Sequence, residues 1–328
     1  MILAAGFGTR LGALSDERPK PLLPVCDLPL IRYNLALLEA HGFREVLINL
    51  HHRGSLIEDE LSSGTGKLAV TYSRETEILG TGGGIHRVAD WLTRGGRESF
   101  LVLNGKLVID PDLDALVALH NESRAAATML LREVPDAERW GAIDTDEDQR
   151  VVGILGRMLQ SSKSVLHRSM FTGVHAISPA LVARLPDGVS CIIRQGYLPA
   201  LDAKERISGL LYDGYFQEHS TPERYLEGNF AVLRGEARLS HPPGPLTGVD
   251  PEARIGANVT LIPPYRIGPD AEVGAGSIVG PDAVVGRRSR VLPGAKISRS
   301  VVWADAVAEG SIDRAIVTPK GVFPVDEA

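Results

Sequence analysis

The sequence predicts an α/β domain built on a mostly parallel sheet, followed by a β-helix. Three observations carry this reading. Before residue 239, short apolar runs alternate with amphipathic helical patterns, as strands and crossover helices do in a parallel sheet. A Pro- and Gly-rich stretch, LSHPPGPLTGV, then interrupts the chain. Beyond it, aliphatic residues recur every six positions, which is the period of a β-helix.

The elements follow in order. Residues 2–5 read as a short buried strand and 28–41 as a helix with Leu30, Leu35, Leu37 and Leu38 on its apolar face. A strand (45–50, EVLINL), a helix (55–61) and a strand (68–72) come next. Residues 85–92 read as a helix, 100–103 as a strand and 113–120 as a helix. Ligands of such sheets collect outside the carboxyl ends of the strands, so the segments after Ala5 and Leu103 fall at the ligand edge. In the C-terminal part Val249, Ile255, Leu261, Ile267, Val273, Val279, Val285, Val291 and Ile297 are six residues apart. Small residues such as Ala271, Ser277 and Ala283 recur four places after them, suited to tight corners. The expected division is a domain over 1–238, a linker over 239–248 and a β-helix over 249–328. Its last part, from Trp303, loses the six-residue count and is expected to cap the stack.

Composition narrows the function classes. At roughly 100–200 residues per domain, 328 residues suit two domains. With 44% hydrophobic and 23% charged residues, wholesale disorder is excluded. A net charge of −6 lacks the basic footprint of a nucleic-acid binder. No apolar run reaches the ~20 residues that span a bilayer, and no secretory leader pattern opens the sequence. Cys26 and Cys191 make no disulfide framework, so reduced thiols in a cytoplasmic protein are expected, with neither nucleic acid nor membrane as partner.

The chemistry concentrates near the start. Leu3-Ala4-Ala5-Gly6-Phe7-Gly8-Thr9-Arg10-Leu11 is followed by Pro19-Lys20-Pro21-Leu22-Leu23-Pro24-Val25. Glycines after a strand let backbone N–H groups approach an anion. Arg10 adds a planar fork of donors and Lys20 a point charge on a proline-stiffened segment. A dinucleotide fingerprint would need Gly where Leu11 stands. The compound pattern G-x-G-T-R-(x8)-P-K-P-L-L-P-V is much more specific than its Gly-x-Gly alone.

On this pattern the sequence resembles sugar-1-phosphate nucleotidyltransferases, particularly the mannose-1-phosphate guanylyltransferase-like members with a C-terminal left-handed β-helix. The resemblance covers nearly the whole chain. Leu79-Gly80-Thr81-Gly82-Gly83-Gly84 resembles the loop that reads the nucleobase, and Trp140-Gly141-Ala142-Ile143 a block near the sugar. Phe171-Thr172-Gly173-Val174 and Ser220-Thr221-Pro222-Glu223-Arg224-Tyr225-Leu226 resemble further family blocks. The resemblance implies a Rossmann-like, GT-A-like domain in which a sugar-1-phosphate oxygen attacks the α-phosphate of an NTP and pyrophosphate leaves. GTP and mannose-1-phosphate are the expected pair. It further implies nucleotide contacts from Leu3, Ala4, Gly6, Gly8, Thr9, Arg10, Gly80, Gly82 and Gly83, and sugar contacts from Gly141, Thr172 and Gly173. Arg10 and Lys20 would carry the phosphate charge, and Mg²⁺ would be held by two acidic residues.

Two positions depart from the family. Its Asn-Gly-Asp is Asn104-Gly105-Lys106 here, so a lysine stands at the metal-ligand carboxylate. The second acid is Glu218, one methylene longer than the family's aspartate. An ammonium cannot coordinate Mg²⁺, which weakens or removes the expected metal site. Three readings stay open. Lys106 could supply the charge of the ion with Glu218 as its salt-bridge partner. The chain could be a catalytically impaired homologue that binds nucleotide or nucleotide-sugar as a regulatory subunit, with an active paralogue as partner. Or Lys106 could point away and another acid such as Asp110 act, although Asp110 in Asp110-Pro111-Asp112 reads as a cap or turn residue. The family's Glu-Lys-Pro block is missing, and Gly156-Arg157 stands near its place.

The remaining candidates read as structural. His51, His52 and His120 lack the spacing of a zinc site. Tyr215 and Phe216 read as core, and Asp144, Asp146, Glu147 and Asp148 as a solvated hairpin turn. Many hexapeptide-repeat proteins are acyltransferases with a histidine base, but no histidine follows His241. The β-helix is therefore expected to serve assembly, as part of a homo-oligomer. The family carries a few residues before its first strand, so the start of this chain is expected to be short or to continue upstream.

Overall fold

The structure, a computed structural model, describes residues 1–159 and 165–326. Packing divides it into two compact units. The first comprises Met1–Phe7, Leu38–Gly105 and Pro111–Gly214, and the second Gly8–Leu37, Lys106–Asp110 and Tyr215–Ala328. This division differs from a cut at 239–248. Residues 8–37 bury Leu11, Leu14, Leu23 and Val25 in the same core as Val284, Val301 and Trp303, so they group with the β-helix.

The first unit is organised on a ten-stranded mixed sheet. Ile2–Leu3 lies between Glu45–Leu50 and Phe100–Asn104, parallel to both, and Ala69–Arg74 extends this parallel half. The long strand His167–Ile177 runs antiparallel to Phe100–Asn104 and turns the sheet into its mixed half. Glu45–Leu50 is buried over its last five residues, as a strand covered on both faces should be. Helix Leu113–Ser123 starts where Asp112 accepts the Ala115 N–H at 2.9 Å, a side-chain N-cap. The region expected as one helix over 85–92 is two, Gly80–His86 and Ala89–Leu92.

In the second unit, parallel strands stack into three sheets, the expected β-helix. Val249 pairs with Ile267, Ile255 with Val273 and Leu261 with Val279, so each early coil takes eighteen residues, three six-residue sides. Ile267, Val273, Val279, Val285, Val291 and Ile297 fill the interior. The stack does not end at Trp303 as the sequence suggested. Val285 pairs with Val302, seventeen residues on, and Ile297 with Ile312, fifteen on. Shortened corners break the six-residue count without breaking the pairing, and stacking continues to Ala315–Thr318. The cap is Gly321–Pro324, folded antiparallel on that strand. Among the described residues, no helix is long and apolar enough to cross a membrane.

Candidate active site

The cationic residues singled out in the sequence meet in the second unit. Lys106 precedes a two-stranded antiparallel ribbon, Leu107–Ile109 against Phe216–Glu218, in which Leu107 faces Glu218. The His219 N–H donates to the Lys106 carbonyl at 3.2 Å, and the buried Asn34 amide donates to the Leu107 carbonyl at 3.1 Å. The ribbon thus fixes both ends of an ion pair: Lys106 Nζ lies 2.6 Å from Glu218 Oε1. Arg10 Nη2 reaches the same oxygen at 3.2 Å. Burial works to raise the Glu218 carboxyl, but Lys106 and Arg10 outweigh it and hold the group below the usual carboxylate range. His219 beside it is fully buried, and burial lowers its pKa to about 4, so it is neutral.

Gly8 and Lys20 complete the cluster. Gly8 has φ 73°, a left-handed conformation that glycine adopts without strain, and opens the 3₁₀ segment Thr9–Asp16 that carries Arg10. A Cβ at Gly8 would lie 3.7 Å from the Lys20 Cε, in ordinary contact with the lysine stem. Lys20 starts a single 3₁₀ turn, Lys20–Leu22, with Pro19 before it. Burial first, then the Lys106 and Arg10 charges, lower the Lys20 ammonium to about 8, with Glu218 acting against them. Two cations therefore bond one carboxylate, and a third lies close enough to feel all three charges.

A rigid frame stands behind them. Thr221 caps helix Pro222–Leu233, accepting the Arg224 N–H at 3.3 Å, with Pro222 at its first position. From this helix Tyr225 donates to the Pro24 carbonyl at 2.6 Å, and Asn229 accepts the Cys26 N–H at 2.8 Å. Trp303 of the β-helix donates to the Tyr225 hydroxyl at 3.0 Å, and Arg287 donates its N–H to Asp27 at 2.9 Å. The proline-rich segment is thereby bonded on several sides. The thiols of Cys26 and Cys191 are free, and burial pushes the Cys26 thiol up.

This donor set does not fit a divalent ion. Such an ion takes oxygen ligands, and the one carboxylate here, Glu218, already bonds two cations and leaves an excess of positive charge. Two unit charges ~4 Å apart repel by ~4 kcal/mol at an effective dielectric near 20, and a divalent ion beside Lys106 would meet about twice that. Asp110 does not stand in: its carboxylate accepts the Ser240 N–H. The capping role belongs to Asp112. His41, Asp112 and Asp114 bring three ligand atoms within 4.8 Å of one another, but both aspartates are exposed and Asp112 is committed to its helix.

The other expected nucleotide and sugar residues, all in the first unit except Thr9, have mixed positions. Leu3 belongs to the sheet, and the Ala4 N–H donates to Asn49 Oδ1 at 2.8 Å. Gly6 and Thr9 are exposed, and a Cβ at Gly6 would meet nothing within 4 Å. Gly80, Gly82 and Gly83 lie on a helix rather than a loop. Gly82 and Gly83 are buried against residues 188–192, with the Gly82 N–H donating to the Ser190 carbonyl at 2.9 Å. Absent side chains let two backbone segments touch: a Cβ on Gly82 would sit 2.6 Å from Ser190 Oγ. Thr172 is buried, its hydroxyl donating to the Leu130 carbonyl at 2.8 Å, and Gly173 (φ 89°) lies in the bulge between Phe171 and His175. Gly141 lines a cavity of about 300 Å³ with Asp144, Leu155 and Arg168. Asp144 is no solvated turn residue, since it is 1% exposed and accepts Arg168 Nε at 2.7 Å. Arg157 pairs with Asp202 at 2.8 Å.

The sequence reading missed one network. Buried Asn49 takes the Ala4 N–H and donates to Glu75 Oε1 at 2.7 Å, while Glu75 Oε2 accepts the Leu79 N–H at 3.0 Å. It ties the end of the first strand to the start of the glycine helix. A lone asparagine inside the apolar run EVLINL was the available signal.

Along the chain, the strand Ile2–Leu3 leads into Gly8 and the segment that carries Arg10. Residues 1–155 match the nucleotidyl transferase family model, and the chain belongs to the sugar-1-phosphate nucleotidyltransferase family. It is 30% identical over 286 residues to the mannose-1-phosphate guanylyltransferase of Mycobacterium tuberculosis, covering 84% of this chain and 77% of that protein. It is 27% identical over 233 residues to the probable mannose-1-phosphate guanylyltransferase 2 of Arabidopsis thaliana, covering 70% of this chain and 63% of that protein. Among solved structures, HddC from Yersinia pseudotuberculosis shares the fold, with TM-score 0.58 and 24% identity over 70% of this chain and 96% of that one.

Proposed function

We propose that the protein transfers a nucleotidyl group from an NTP to a sugar-1-phosphate, with GTP and mannose-1-phosphate as the substrate pair. The observation that carries this is the contact of both Arg10 and Lys106 with the single Glu218 carboxylate, with Lys20 within reach of their charge, which leaves a surplus of positive charge suited to a triphosphate. A phosphate oxygen of the sugar-1-phosphate attacks the α-phosphorus, the bond from that phosphorus to the α–β bridging oxygen breaks, and pyrophosphate departs with the electron pair. No side chain needs to form a covalent bond. The residues position the phosphates and neutralise the charge that builds on the leaving group. Arg10, the exposed member, supplies a fork of N–H donors, and Lys20 a fixed ammonium. The choice of guanine and mannose rests on the relatives' names. Cytoplasmic location and self-association through the β-helix belong to the same reading.

The test is a pyrophosphate-release screen of GTP, UTP, dTTP, ATP and CTP against several sugar-1-phosphates. Turnover greatest for GTP with mannose-1-phosphate is expected. Turnover with another pair would overturn the substrate assignment, and release with none would overturn the reaction.

A further inference from the structure

We propose that this chain binds its nucleoside triphosphate without a divalent ion at the Lys106–Glu218 pair, the Lys106 ammonium serving there as a built-in cation. The inference rests on the nucleotidyl-transfer reading and concerns how that same site meets its polyphosphate. Three features of the cluster support it.

First, Glu218 Oε1 is taken twice, by Lys106 Nζ at 2.6 Å and Arg10 Nη2 at 3.2 Å, so two positive charges already sit at this carboxylate. An ion on either carboxylate oxygen would have to sit close to the Lys106 ammonium and the Arg10 guanidinium, which repel it. Second, the pair cannot easily separate. Both residues adjoin the same antiparallel ribbon, and the His219 N–H to Lys106 carbonyl bond closes it at that end. Glu218 is mostly buried and Lys106 partly so, which shields the pair from solvent. Third, Asp110 lies past the other end of the strand Leu107–Ile109 and its carboxylate already holds the Ser240 N–H, so it does not supply the missing ligand. The side chains as arranged attract a polyanion and repel a dication. A triphosphate oxygen can approach Lys106, Arg10 and Lys20 while Glu218 keeps its bond to Lys106.

Titration calorimetry of GTP into the full chain, without sugar-1-phosphate, tests this in EDTA and in Mg²⁺. Affinity in EDTA within about threefold of that in Mg²⁺, or tighter, is expected. Lys106→Met should fold normally, keep its dimensions, and lose at least tenfold in affinity in EDTA. Lys106→Asp should bind GTP at least tenfold more tightly in Mg²⁺ than in EDTA. Wild-type binding that weakens more than about threefold in EDTA would overturn the inference and leave nucleotidyl transfer standing. So would Mn²⁺ held by the nucleotide-free protein and released in Glu218→Gln, read by electron paramagnetic resonance. Absence of GTP binding in both buffers would overturn the guanylyl reading and this inference together, whereas metal-independent binding without turnover would overturn only the proposed reaction.

Discussion

Arg10, Lys20, Lys106 and Glu218 form a single electrostatic object, although 208 residues separate the first from the last. The sequence made each of them conspicuous, because glycine turns, a lysine between prolines and a lysine in place of an acid are local features. The Lys106–Glu218 pairing was among the sequence readings, but the shared contact from Arg10 was not legible, since nothing local records a distance across the chain. Thr172 adds a contact that its block did not suggest: its hydroxyl donates to the Leu130 carbonyl inside the sheet. Two consequences follow at this scale. Arg10→Ala removes a charge-assisted donor worth ~1.5–3 kcal/mol, so KM for the triphosphate should rise roughly 10- to 150-fold. Steady-state kinetics checks this, and an unchanged KM would place the triphosphate elsewhere. Lys20 has its ammonium lowered from 10.5 to about 8 in the folded chain, so the fold disfavours the charged form below about pH 8 and is relieved of that cost as pH rises. A bound polyanion favours the charged form. Triphosphate binding should therefore take up protons near and above pH 8 and weaken as pH rises further. Calorimetry in buffers of different ionisation enthalpy reads that uptake directly.

Among the elements, the alternation of strands and helices was readable because burial on both faces writes a run such as EVLINL as nearly continuous apolar residues. The glycine helix Gly80–His86 was not, because glycine disfavours helices and its presence here comes from close packing against residues 188–192. Hexapeptide periodicity gave the β-helix but not its end. Once corners shorten, from eighteen residues per coil to seventeen and fifteen, periodicity stops while pairing goes on. Trp303 sits in that irregular region and is fully buried, between the coil and helix Pro222–Leu233, with Tyr225 as its hydrogen-bond partner. Trp303→Ala should cost ~3–5 kcal/mol, read as a lower urea midpoint at unchanged slope. Because Tyr225 also bonds the Pro24 carbonyl, the variant should bind triphosphate more weakly as well. A destabilised variant with full affinity would separate the β-helix from the phosphate segment.

At the scale of the whole molecule, packing assigns the Arg10–Lys20 segment, the Lys106 ribbon and the β-helix to one compact unit, and the ten-stranded sheet to the other. A boundary drawn from composition at the Pro- and Gly-rich stretch could not register this, because the grouping depends on contacts between segments far apart in sequence. The β-helix is thus part of the core that supports the cations, in addition to any role in assembly. Whether the assembled chain carries out nucleotidyl transfer is best decided by ³¹P nuclear magnetic resonance of the protein with GTP and mannose-1-phosphate, run in Mg²⁺ and in EDTA. The expected result is loss of both starting phosphate sets, with one nucleotide-sugar diphosphate formed for each pyrophosphate. Unchanged spectra, or conversion of GTP to GDP and inorganic phosphate alone, would contradict it.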